Sequence, residues 1–195
     1  MRSALCAIVV SLGLDAAPSL AQSDLGSVGL AWDPAGEVCN LNIGVDDTAT
    51  LYILAYLTGA FAGGITGSEF RVTGFPLDWP VNVTPNPESV VTLGNPLGPG
   101  CNIAFPTCQM GSKGVALLYT VQFVATSPVN EQVLSVIGHA TPSNPQFPCP
   151  RLIICDSPAD LWACSDGRAA SINHPDYCVT GVESTSWSAL RSLYR

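Results

Sequence analysis

The chain has 195 residues, a formal net charge of −8 and a single lysine, Lys113. So few cations exclude nucleic-acid binding by phosphate neutralisation, and they disfavour anionic membrane surfaces. With 47% hydrophobic and only 11% charged residues the composition is not that of a disordered chain, and 18 glycines with 16 prolines predict many short elements joined by turns.

The N-terminus reads as a secretory signal. Met1-Arg2 is positive, Ala4–Leu14 is apolar, and Ser19 and Ala21 form a small-residue cleavage pattern. The expected organisation is a signal peptide over 1–21, a sandwich domain over 22–182 and a tail over 183–195. The apolar run is shorter than the roughly 20 residues a membrane span needs, so no transmembrane segment is expected in the mature chain. The localisation that follows is secreted, periplasmic or extracellular.

After the leader, strand follows strand. Val28–Trp32 leads into the turn Asp33-Pro34-Ala35-Gly36. Thr50–Leu57 is apolar on both faces, as in a central strand covered on both sides. In Glu69–Phe75, Phe70 and Val72 alternate with Glu69, Arg71 and Thr73, the pattern of a half-buried strand. Residues 76–114 read as a long connection. Val115–Thr126 sets Tyr119, Val121 and Phe123 against Thr120 and Gln122, and Val133–His139 sets Leu134 and Val136 against Ser135 and His139. Residues 140–150 form a second long loop, and Arg151–Cys155 is a short apolar strand. Leu161–Cys164 and Arg168–Ile172 flank Ser165-Asp166-Gly167 as a hairpin. In the tail, Trp187, Leu190 and Tyr194 share a stripe at helical spacing, which allows a short C-terminal helix. Strands without interleaved helices predict an all-β fold, an antiparallel two-sheet sandwich with disulfide-stapled loops.

In an exported chain cysteines default to disulfides. Seven lie beyond the leader: Cys39, Cys101, Cys108, Cys149, Cys155, Cys164 and Cys178. Seven is odd, so one is left over or pairs between chains. Cys101 and Cys108 bracket the stretch GCNIAFPTC and are the expected bridge, closing a loop; spacing selects no partners for the other five.

The stretches ITGSEFRVTGFP (65–76), TPNP (84–87), LGNPLGPGCNIAFPTC (93–108) and ATPSNPQFPC (140–149) resemble secreted bacterial proteins with an immunoglobulin-like or cohesin-like sandwich. The resemblance covers most of the mature chain and implies a fold, but no activity. The three Asn-Pro pairs at 86, 95 and 144 read as turn chemistry in preference to an internal duplication.

No catalytic constellation stands out. His139 and His174 are the only histidines, and no G-x-S-x-G elbow positions a serine nucleophile. Asp46-Asp47 reads as a solvated turn, not as a glycosidase pair. Cysteine spacings do not suit zinc, and Asp156, Asp160 and Asp166 lack a calcium-loop pattern. No cofactor or metal is expected. For a glycan, Trp79 between Pro-rich flanks, with Asp78 and Asn82 beside it, is the candidate stacking site. The leading expectation is a non-enzymatic structural or protein–protein module of the cell envelope, with a carbohydrate-binding module as the alternative; the partner is a protein or glycan at the cell surface.

Overall fold

The computed structural model describes residues 25–59, 61–146, 148–155, 162–164 and 167–174. The leader, the tail, Cys178 and the three aspartates at 156, 160 and 166 lie outside the described residues. Among the described residues there are thirteen strands: β1 (Leu25–Ala31), β2 (Asn40–Leu41), β3 (Thr48–Gly59), β4 (Ile65–Thr73), β5 (Val81–Pro85), β6 (Val91–Asn95), β7 (Gly100–Gln109), β8 (Val115–Val124), β9 (Gln132–Ile137), β10 (Arg151–Ile154), β11 (Trp162–Cys164), β12 (Gly167–Arg168) and β13 (Ala170–Ile172). No helix occurs among the described residues, and none there is long and apolar enough to cross a membrane.

The strands form two packed sheets. The first has the order β12-β1-β3-β8-β5. Strand β3 carries Leu51, Ile53, Ala55 and Leu57 into the core on one side, and Leu54 and Tyr56 into a smaller cluster with Ala31 on the other. This two-sided burial is why its sequence lacks alternation. On β8 the pairing with β3 slips between Ile53 and Leu54, and the extra residue turns both Leu118 and Tyr119 inward. Val121 and Phe123 then continue the inward face as their alternation predicts.

The second sheet is organised around β4. Glu69 pairs with Asn102 of β7 on one edge and with Arg151 of β10 on the other. Strand β6 pairs with β7 and ends that side of the sheet. Strands β9 and β10 are both antiparallel to β4, with Ile137 opposite Arg71 and Arg151 opposite Glu69. They lie end to end along one edge of β4, so residues 138–150 are an excursion from what is otherwise a continuous strand.

Three expectations are corrected. The sheets are mixed, not purely antiparallel: β12 runs parallel to β1, and β13 parallel to β2. The cause is that the segment 167–172 straddles the sandwich, pairing with β1 of the first sheet and then with β9 of the second. For the same reason the 161–172 hairpin is not what forms; β11 pairs with β10 and β12 with β1. Finally, the connection 76–114 contains three strands, β5, β6 and β7. Prolines and solvent exposure hide the first two from a periodicity reading.

Candidate interaction surface

The face of the second sheet turned away from the core is built by alternation on β6, β7, β4 and β10. Cys101, Ile103 and Phe105 of β7 point into the core. Their neighbours Asn102 and Ala104 therefore point outward. The register then lays out two cross-strand rows. One runs Val91, Ala104, Gly67, Ile153; the other runs Leu93, Asn102, Glu69, Arg151.

The first row is apolar and open at one end, where Val91 is 44% exposed. Gly67 keeps it flat. A Cβ there would stand 2.9 Å from the Ile103 carbonyl oxygen and 3.1 Å from Ile153 Cδ1, so Ile153 lies across the space a side chain would take. Leu93, 62% exposed, opens the second row on the same edge.

The second row ends in a buried ion pair. Glu69 and Arg151 are opposite each other and their side chains are almost wholly buried. Arg151 Nη2 donates to Glu69 Oε1. Ser143, from the 138–150 excursion, closes over the pair. Its backbone N–H donates to Glu69 Oε1 at 3.0 Å, its hydroxyl donates to Glu69 Oε2, and Arg151 Nη2 donates to Ser143 Oγ at 3.2 Å. Burial alone would raise the Glu69 pKa. The hydrogen bonds from Ser143 and the adjacent guanidinium outweigh it and hold the carboxyl below its usual range. The excursion is tied at two further points. Ala140 N–H donates to Pro99 O at 2.8 Å, and the His139 ring sits over Gly100 in the space a Cβ would take. The polar end of the face is thus roofed and fixed, and the apolar end is left open.

The residues singled out from the sequence lie elsewhere. Trp79 is 3% exposed and stacks on Phe123 with ring centroids 5.3 Å apart, while Phe75 meets it edge-on. It is a core residue and offers no sugar-stacking surface. Its indole Nε1 donates to Ser127 Oγ at 3.0 Å, and that hydroxyl donates to Asp78 Oδ2 at 2.7 Å, so Asp78 orients the partner of the tryptophan. Asn82 does reach the surface, with Nδ2 3.5 Å from Gln122 Oε1. It lines a cleft of about 540 Å³ on the outside of the first sheet, with Thr48, Thr50, Pro80 and Val124. That cleft contains no charged side chain, and its one aromatic, Phe123, is turned into the core.

The expected Cys101–Cys108 bridge does not form. Both lie on β7, but Cys101 is buried opposite Phe70 of β4, whereas Cys108 lies past an irregularity in the β4–β7 pairing, among exposed residues. Cys108 instead bonds Cys155, with Cα atoms 5.8 Å apart, stapling the end of β7 to the end of β10. Cys101 is free, buried beside Tyr119; burial pushes its thiol up to about 12. Cys39 and Cys149 are also disulfide-bonded. Cys164 sits on β11, and its side chain lies outside the described residues.

His139 does not assemble a triad. Its Nδ1, the atom an orienting carboxylate would hold, accepts the Thr141 N–H at 3.1 Å. His174 donates its backbone N–H to Asn40 Oδ1 at 3.3 Å. No group of three or more metal-ligating side chains occurs among the described residues. Asn86, Asn95 and Asn144 each accept the backbone N–H two residues on, so all three Asn-Pro pairs are Asx turns.

What sequence reading missed is the Glu69–Arg151–Ser143 cluster and the Val91–Leu93 strip. The signal for the first was an arginine heading an apolar run in a chain with almost no cations. The signal for the second was the run Val90-Val91-Thr92-Leu93 between two Asn-Pro turns.

No family model matches the chain, and no curated protein matches it. Solved structures do. A cohesin module from a Clostridium perfringens family 33 glycoside hydrolase is 10% identical at a TM-score of 0.51, covering 77% of this chain and 98% of that one. A non-cellulosomal cohesin from the archaeon Archaeoglobus fulgidus is 10% identical at a TM-score of 0.46, covering 75% and 88%. The sixth cohesin of scaffoldin B from Acetivibrio cellulolyticus, solved in complex with a Cel5 dockerin, is 9% identical at 0.47, covering 76% and 97%. At such identities the likeness is one of fold: the chain is a cohesin-like β-sandwich.

Proposed function

We propose that the protein is an exported, non-catalytic sandwich that binds another protein through the outer face of the β6–β7–β4–β10 sheet. The observation that carries this reading is the exposure of Val91 and Leu93 side by side at the β6 edge of the face, where Val91 opens the flat, uncharged row through Ala104 and Gly67. Scattered single apolar residues on a surface mean little, but adjacent ones aligned by sheet register form a surface that gains free energy when covered. The Glu69–Arg151–Ser143 cluster supports it by fixing the neighbouring backbone, so less ordering entropy is lost on docking. Export is supported by the leader-like N-terminus and by the Cys108–Cys155 disulfide, which suits an oxidising compartment.

The test is capture from native cell-envelope extract by the immobilised protein, run beside an Ala104→Glu variant that places a charge in the middle of the apolar row. A protein retained by the wild type and lost by the variant, with thermal unfolding unchanged, is the expected result. Recovery of polysaccharide and no protein would sink the reading, as would capture that ignores the charge at position 104.

A further inference from the structure

Every sheet ends in edge strands whose outer N–H and C=O groups have no strand partner, and such edges pair with other chains unless something prevents it. Among the described residues four of the five edges are blunted. Strands β2 and β12 are two residues long and β11 is three. Strand β5 has five residues, but Pro80 precedes it and Pro85 lies within it. Strand β6 is the exception. Its five residues, VTLGN, contain no proline and no charge, and all are exposed. The preceding Val90 is 63% exposed and also uncharged. Gly94, with φ of +81°, bends only the far end.

We infer that β6 is a self-pairing edge, and that its partner is β6 of a second copy of this chain. The sequence of the edge is self-complementary. Antiparallel pairing about a twofold axis through Thr92 sets Val91 opposite Leu93 twice, on the same outer face, and Thr92 opposite Thr92. Both Val–Leu pairs cover apolar surface that is open in the monomer. No carboxylate stands in the paired stretch; the nearest, Glu88, lies beyond the strand. The net charge of −8 therefore opposes association only through screened, long-range repulsion. The product is a closed C2 dimer in which the two second sheets continue into one another, so the assembly terminates at two copies.

The dimer shares Val91 and Leu93 with the proposed partner-binding face, but its contact is the free edge of β6, whereas partner binding extends inward over Ala104 and Gly67, so charges at positions 92 and 104 separate the two. The experiment is sedimentation equilibrium of the full chain from micromolar to about millimolar concentration. The weight-average mass should rise toward twice that of the monomer. Thr92 points away from the outer face, so Thr92→Lys puts like charges opposite each other at the axis and leaves the face alone. It should weaken association by about five-fold. An equal mixture of Thr92→Lys and Thr92→Glu should restore it, because the pair then carries opposite charges. Ala104→Glu should leave the dimer intact while abolishing partner capture. A wild type that stays monomeric throughout overturns the inference. So does a dimer that is indifferent to the charge at position 92, which would place the contact elsewhere.

Discussion

Glu69 and Arg151 face each other across β4 and β10 at the point where the β9–β10 strand is interrupted, and Ser143 from the interruption bonds to both. The ion pair is therefore also the anchor of the excursion. Removing one partner is costly in such a place because the other charge stays buried. Arg151→Met should destabilise the fold by about 3 to 5 kcal/mol. The double variant Glu69→Leu/Arg151→Met should recover most of that loss, since an apolar pair of similar volume has no desolvation penalty. Urea denaturation of the three proteins tests this. A double variant no more stable than Arg151→Met would show that the loop contact through Ser143 matters more than the uncompensated charge.

The same cluster sets an acid dependence. The folded-state pKa of Glu69 lies below its model-compound value of 4.5. A depressed carboxylate binds fewer protons folded than unfolded, so it contributes stability in full above about 4.5 and loses it as the pH falls through the folded value. Wild type should therefore lose more stability than Glu69→Gln between pH 5 and about pH 3. The measurement is the urea midpoint of each against pH. Parallel curves would mean that the carboxylate is not held in its charged form by this cluster.

How much of this was legible in the sequence depended on whether local pattern or long-range register decided it. Tyr119, Val121 and Phe123 alternate with polar neighbours and point inward as that pattern requires. Thr50–Leu57 has no alternation, and it is buried on both sides. Where pattern misled, a distant partner was responsible. In GCNIAFPTC the alternation of Ile103 and Phe105 was the strand signal, but the two cysteines suggested a loop. Once the stretch is a strand, Cys101 turns into the core, and the true partner of Cys108 is 47 residues away. The parallel pairs of β12 and β13 come from a segment that crosses between sheets, which no local pattern encodes. The outer face of β6–β7–β4–β10 exists only through register, so its rows were invisible even though each residue in them was not.

Trp79 offers a sharp check on burial against binding. It stacks on Phe123, meets Phe75 edge-on and donates to Ser127. Trp79→Ala should cost about 3 to 5 kcal/mol, as for other large aromatic truncations in a packed core. Asp78→Ala should cost about 1 kcal/mol by freeing the Ser127 hydroxyl. Chemical denaturation measures both. A Trp79→Ala protein as stable as wild type would return this residue to the surface and revive a role in sugar stacking.

The cysteines give the last contrast, between two sulfurs on one strand. The Cys108–Cys155 bridge closes a stretch with a sequence separation of 47. In the loop-entropy description a closure of that length stabilises by about 4 kcal/mol, and Cys108→Ser/Cys155→Ser should lose roughly that amount. Cys101 behaves oppositely. Its thiol is buried, and burial pushes it up to about 12, so almost no thiolate exists at pH 8. The native protein should therefore resist iodoacetamide at position 101 and be modified there only after unfolding in guanidinium. Peptide mapping without reduction should recover the 108–155 cross-link and an unbridged Cys101. Rapid native alkylation of Cys101, or a peptide joining it to Cys108, would contradict the burial of Cys101 and the pairing of Cys108 with Cys155.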